Sequence, residues 1–173
     1  MQIRRAVAGD VEELSALVLS AKAHWGYEHA QLQAWRSSLE VSAESVPARP
    51  TFVGELNGLA IGFYSLAPSG EAWELDNLWV LPRFMKNGFG RTLLMHAAQT
   101  AAEGGATSIV IDADPNAEPF YLACGAKRIG AVAAPIAGQL NRVRPQLVLA
   151  VTRSNIPVNA DARERDSIQR RAD

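Results

Sequence analysis

The stretch Leu75–Leu94, LDNLWVLPRFMKNGFGRTLL, constrains this chain more tightly than any other. It reads as strand, turn and helix in direct succession. Leu75–Leu81 is rich in apolar and aromatic residues, Pro82 stops it, and Lys86-Asn87-Gly88-Phe89-Gly90 forms a glycine-containing elbow. From there Phe89, Leu93, Leu94, Ala97, Ala98 and Ala101 recur with helical spacing. Backbone amides gathered at a helix N-terminus suit a phosphate group. A tight turn that needs glycine only for its backbone angles gives the same local pattern, and at this level both readings stand.

Length and composition bound the rest. A chain of 173 residues suits one domain with a substantial core, and 48% hydrophobic with 20% charged residues describes an ordinary globular protein. Seventeen basic and eighteen acidic side chains nearly cancel, which gives no pull toward nucleic acid or an anionic membrane. Cys124 is the single cysteine, so no intrachain disulfide forms, and three dispersed histidines suggest no metal site. The opening residues lack a signal-type apolar core and no window reaches membrane-spanning length, so a cytoplasmic protein is expected.

Taken in order, Gln2–Ala6 predicts an opening strand. Asp10 and Glu13 start a first helix whose stripe is Val11, Leu14, Leu17, Val18 and Ala21. Gly26 breaks it, and Glu28–Leu39 predicts a second helix carrying Leu32, Trp35 and Leu39. The junction His24-Trp25-Gly26-Tyr27 is either a hydrophobic plug or a wall of a substrate pocket. After a loop over 41–50, Thr51–Leu56 and Leu59–Leu66 flank Asn57-Gly58, a strong hairpin signal, and Glu71–Leu81 follows as a third strand. Beyond the long helix, closed by Gly104-Gly105, come a strand at Ser108–Asp112, a compact helix at Ala117–Ala123, and strands at Ala126–Ala131 and Gln146–Thr152. The residues Arg153–Asp173 form a polar tail of interleaved charges after a domain spanning 1–152. This order predicts an α/β (α+β) fold, a mixed sheet with helices on its faces.

Three separated stretches resemble the GNAT superfamily of acyl-CoA-dependent N-acyltransferases. Gln2–Ala6 with Asp10 looks like the family's opening strand and helix start. Leu78-Trp79-Val80-Leu81-Pro82 through Gly88-Phe89-Gly90-Arg91-Thr92-Leu93-Leu94 is similar to its acetyl-CoA-binding motif, and Asn116–Ala126, NAEPFYLACGA, to its N-x-x-x-x-F-Y-x-x-x-G-A segment. The resemblance covers about residues 1–152 and implies a mostly antiparallel central sheet flanked by helices on both faces. It also implies acetyl-CoA as acyl donor, with no metal, and a primary amine of a small molecule or protein as acceptor. Homodimers are common in the resembled family. The chain departs from the family at the pyrophosphate loop, where Met85 replaces the usual Arg or Gln and Lys86 an additional glycine. That departure motivates an alternative, a non-catalytic acyl-CoA-binding module.

Acetyl transfer needs a held donor, a polarised carbonyl, a deprotonated amine and a proton for the leaving thiolate. The resemblance implies that Met85, Lys86, Asn87, Gly88, Phe89, Gly90 and Arg91 hold the pyrophosphate. It implies that Leu78, Trp79 and Val80 present backbone groups to the pantetheine arm like an added strand. Lys86 can supply as a point charge what Met85 lacks. By resemblance, Tyr121 protonates the thiolate and Asn116 bonds the pantetheine, although asparagine at that place is also a preferred helix cap. For the base, a regular strand sets Glu74 and Asp76 about 7 Å apart on the face of Leu78 and Val80; a bulge would change that phase. His24, Trp25 and Tyr27 are the candidate acceptor contacts, and Cys124 is read as packing.

Overall fold

Seven runs of strand-forming residues pair into one sheet in the order β1-β2-β3-β4-β5-β7-β6. The strands are β1 (Gln2–Arg5), β2 (Thr51–Leu56), β3 (Leu59–Ala67), β4 (Ala72–Val80), β5 (Ser108–Asp112), β6 (Lys127–Ala133) and β7 (Val143–Ala150). Every pairing is antiparallel except that of β4 with β5. The sheet is therefore mixed and mostly antiparallel, as expected. This computed structural model describes residues 1–151; Thr152 and the polar tail expected at Arg153–Asp173 lie outside the described residues.

The helices are α1 (Val11–Ala23), α2 (His29–Leu39), α3 (Ser45–Ala48), α4 (Phe89–Glu103) and α5 (Glu118–Ala123). The apolar stripe of α1 buries Leu14, Leu17 and Val18 against Val53, Ala60 and Phe63 on one face of the sheet. On the other face α4 buries Leu93, Leu94, Ala97 and Ala101 against Tyr64, Leu66, Leu75 and Ile109. At about 1.5–3 kcal/mol for each fully buried large apolar side chain, these two layers fix how the sheet is held. The Asn-Gly hairpin forms as predicted, with both residues at positive φ (52° and 77°) and Leu56 opposite Leu59.

Most expected boundaries hold to within one or two residues, and two departures are larger. The loop 41–50 holds a one-turn helix, α3. The last strand begins at Val143 instead of Gln146, so it includes Pro145. A proline is tolerated there because its carbonyl faces the Ala113 amide (2.9–3.0 Å being usual, 3.0 Å here), where β5 has ended. The missing N–H falls on a side with no strand left to accept it.

The feature that positions the site is a bulge in β4. Ser65 pairs with Asn77 but Leu66 pairs with Leu75, which leaves Asp76 as the extra residue. Trp73 and Leu75 before it, and Leu78 and Val80 after it, all pack on the α4 face. Without the bulge, a strict two-residue alternation would put Leu78 and Val80 on the face opposite Leu75.

Candidate active site

β4 and β5 begin as a parallel pair and then part. Only Ala72, Trp73 and Glu74 have partners across this seam, Ser108, Ile109 and Val110. Farther on, β5 continues against β7 alone. The Leu81 amide bonds the Ile61 carbonyl at 2.8 Å. By antiparallel alternation, Asn77, Trp79 and Leu81 turn their backbone groups to β3, and Leu78 and Val80 turn theirs into the opening. A sheet edge of this kind accepts an extended chain as an added strand.

The opening leads to the elbow. Pro82–Phe84 makes a 3-10 turn, Met85 is extended, and Lys86 and Gly88 both take positive φ (61° and 83°) before α4 starts at Phe89. Lys86 is thus held in a conformation that suits glycine, the residue the resembled family places there. None of the backbone N–H groups from Lys86 to Arg91 has an acceptor among the described residues; the first helical bond is Thr92 N–H to the Gly88 carbonyl, 3.0 Å. Six successive free amides at the positive end of a 15-residue helix make a cradle for an anion. Met85 stands apart. Its amide is engaged by the Pro82 carbonyl (3.1 Å), its carbonyl by Asn87 Nδ2 (3.1 Å), and its side chain packs against the core. A Cβ at Gly90 would lie 3.4 Å from the Phe120 ring, an ordinary van der Waals contact, so the approach of α5 to the start of α4 does not itself demand glycine there.

α5 brings Tyr121 into the core cluster on the α4 face of the sheet. Among the described residues its hydroxyl has no hydrogen-bond partner, and burial pushes its pKa well above the ordinary tyrosine value. At neutral pH it is a protonated, unengaged donor. Asn116 is not the cap of this segment: Asp114 accepts the Asn116 amide at 2.9 Å, and the Asn116 Nδ2 reaches Asp114 Oδ1 at 3.0 Å. Cys124 is half-buried, and burial raises its thiol.

On the α1 face lies a cleft of about 590 Å³ bounded by α2, the 40–49 segment, β4 and the β6–β7 loop. Its β4 wall is Asp76, Asn77 and Trp79. The bulge takes both expected carboxylates off the Leu78 and Val80 face that a regular strand would give them, and only one of the two reaches the cleft. Glu74 alternates with the buried Trp73 and Leu75 and lines no part of the cleft, whereas Asp76 lines it and is held by Arg49 (2.7 Å), Asn77 Nδ2 (3.1 Å) and Ser65 Oγ (3.2 Å). A second cleft, about 480 Å³, is lined by Trp25, Tyr27, Asn116 and the 138–143 loop. Of the expected acceptor contacts, His24 is exposed and reaches neither cleft.

A buried charged cluster divides the two clefts, and sequence reasoning missed it. Lys22 Nζ donates to Asp114 Oδ2, and its ammonium lies 4.8 Å and 4.7 Å from the ring centroids of Tyr27 and Trp35. Arg142 reaches Tyr27 Oη (3.2 Å), the Asp114 carboxylate (3.5 Å) and the Ala134 carbonyl (3.1 Å). The Tyr27 hydroxyl donates to Asp114 at 2.8 Å. Burial pulls the Lys22 ammonium below its ordinary pKa and raises that of Tyr27. Burial also works to raise Asp114, but bonds from Lys22, Asn116 and Tyr27 hold its carboxyl below the usual range. The one sequence signal was a lysine directly after the buried stripe of α1. Asp114, Trp35 and Arg142 lie far from it along the chain and gave none.

A mixed sheet that splays at its parallel seam and ends in an amide-lined elbow defines the N-acetyltransferase class of fold. Solved structures agree. The GCN5-related N-acetyltransferase from Rhodopseudomonas palustris superimposes with a TM-score of 0.72 at 21% identity, covering 86% of this chain and 94% of that one. The PaiA N-acetyltransferase from Thermoplasma acidophilum, solved with coenzyme A, gives 0.70 at 18% identity, with 86% and 98% coverage. The ribosomal-protein-S18-alanine N-acetyltransferase from Escherichia coli gives 0.67 at 15%, with 90% and 97%. The model described as the Acetyltransferase (GNAT) family matches residues 13–126, and the chain belongs to that family. No curated protein sequence matches it.

Proposed function

We propose that this chain is an acetyl-CoA-dependent N-acetyltransferase that moves the acetyl group to a primary amine by direct attack in a ternary complex. The observation that carries this reading is the run of six unpaired amides, Lys86–Arg91, at the mouth of the β4–β5 opening. The fit to a pyrophosphate rests on backbone, so the Met85 side chain is not needed for it; Lys86, exposed at the rim, adds a positive charge. The free edge of Leu78 and Val80 suits the amide-bearing pantetheine arm. Acetyl-CoA supplies the activated thioester.

The residues then divide the work. The Leu78 N–H, directed into the opening, stabilises negative charge developing on the thioester oxygen. Asp76, on the wall of the larger cleft, accepts a proton from the acceptor ammonium through water and passes it to solvent, so that the neutral amine attacks. The nitrogen–carbon bond forms as the carbon–sulfur bond breaks, the Tyr121 hydroxyl gives its proton to the departing sulfur, and the acetylated nitrogen loses its second proton to water. Tyr121 recovers a proton from solvent. Asn116, beside the opening of the second cleft, contacts the pantetheine, and Trp25 and Tyr27 wall the same cleft.

Calorimetric titration of the chain with acetyl-CoA, followed by a thiol-release assay over a panel of amines, tests the reading. Saturable binding and acetyl-CoA-dependent thiol release with at least one amine are expected. Binding without turnover across a broad panel would make the chain an acyl-CoA-binding module, and absence of binding would overturn both.

A further inference from the structure

We propose that the acceptor amine also carries a carboxylate, and that this carboxylate docks against Arg142 and Lys22 at the inner wall of the larger cleft. The inference rests on the acetyltransferase reading above and names the substrate class of that site. It starts from a charge imbalance. The side chains of Lys22, Arg142 and Asp114 are 10%, 5% and 10% exposed. Two buried cations thus share one buried carboxylate. An uncompensated charge in such a place is costly, and the faces of Tyr27 and Trp35 offset only part of it.

The second observation is an unused donor. Arg142 Nε is buried and has no hydrogen-bond partner among the described residues, although both terminal nitrogens of the same guanidinium are engaged. Among the described residues Lys22 Nζ has a single hydrogen-bond acceptor, Asp114, for three N–H groups. Both residues line the larger cleft. The other cations of that cleft are already matched, Arg49 by Asp76 and Arg144 by Asp112. The excess positive charge is therefore local to Lys22 and Arg142. A carboxylate accepts from a guanidinium and an ammonium together, in charge-assisted bonds stronger than neutral ones. The cleft volume of about 590 Å³ suits a small molecule.

The test compares the common α-amino acids and β-alanine, each beside its primary carboxamide, as acceptors for the full chain with acetyl-CoA. At least one acid is expected to exceed its carboxamide by about tenfold or more in kcat/KM. That ratio is expected to collapse toward unity in Arg142→Met and in Lys22→Met. Because either variant can fail to fold, a second measurement uses the unaltered chain. With coenzyme A saturating, the N-acetylated acids are titrated calorimetrically beside the N-acetylated carboxamides, and only the acids are expected to bind measurably. Carboxamides that match or exceed their acids in both measurements would overturn the proposal. So would turnover confined to amines without a carboxylate, which leaves the acetyltransferase reading intact. If the acids bind selectively but no amine is turned over, the docking site stands and the catalytic reading falls.

Discussion

Replacing Tyr121 by Phe should lower the rate and leave stability almost unchanged. The phenol ring packs in the core on the α4 face, 5.0 Å from Phe120, and phenylalanine retains every one of those contacts. The hydroxyl has no protein partner among the described residues, yet it is not among the fully buried unpaired atoms, so it keeps access to solvent. Its removal should therefore leave the fold within about 0.5 kcal/mol of the wild type, or roughly 1–2 °C in Tm for a chain of this size. If the same hydroxyl protonates the leaving thiolate, its loss should lower kcat about 100-fold, the lower end for general acid–base catalysis. Acetyl-CoA affinity should stay within about twofold, because no cradle amide is touched. Thermal unfolding, calorimetry and pre-steady-state thiol release check the three quantities on one preparation. Since burial pushes the Tyr121 pKa above its ordinary value, no alkaline fall in the wild-type rate should be traceable to its ionisation up to about pH 10. An unchanged rate where chemistry limits turnover would remove Tyr121 from the acid role. A destabilised variant would show that the hydroxyl is engaged and refute the packing argument.

The next predictions concern three carboxylates, Asp76, Glu74 and Asp114. Asp76→Asn should reduce kcat/KM about 10²-fold at neutral pH, and Glu74→Gln should leave it within about twofold, as measured by thiol release; equal effects would contradict the bulge-based assignment. Asp114→Asn should cost about 3–5 kcal/mol at pH 7, because it leaves two buried cations without their carboxylate. The folded-state pKa of Asp114 is held below its unfolded value, so this difference is present above about pH 4 and is lost as pH falls through the folded value. Urea titrations of both proteins across that range would show a constant gap if the ion pairs contribute nothing.

Much of the fold was legible because its signals are local. The Asn-Gly hairpin, the stripe of α1 and the glycine elbow each follow from residues adjacent in sequence or one helical turn apart. The face of Asp76 was not legible. It depends on one extra residue in β4, whose place is set by pairing across to Ser65 and Leu66. The start of β7 was hidden for a similar reason: a proline such as Pro145 ends a strand only where its N–H is needed, and that depends on where β5 stops. The buried cluster was hidden more deeply. Lys22 and Asp114 are 92 positions apart, and Arg142 joins them from a third segment, so no spacing or periodicity marks them.

The elbow, which looked the weakest part of the family resemblance, is explained by its backbone. Met85 departs from the usual Arg or Gln, but its side chain packs into the core and its own amide is taken by Pro82, so it was never among the free donors. The six amides that follow are unpaired whatever side chain stands at Met85. Lys86 replaces a glycine at φ 61°, a strain of about 1–2 kcal/mol for a residue with a Cβ. That strain is tolerable if the lysine returns something, and an exposed ammonium beside a phosphate cradle returns charge. Lys86→Gly should then relax the backbone, holding or slightly raising Tm, while weakening acetyl-CoA binding more at low than at high salt, as a screened point charge requires. Tighter binding of acetyl-CoA by the variant would show that the lysine contributes strain alone.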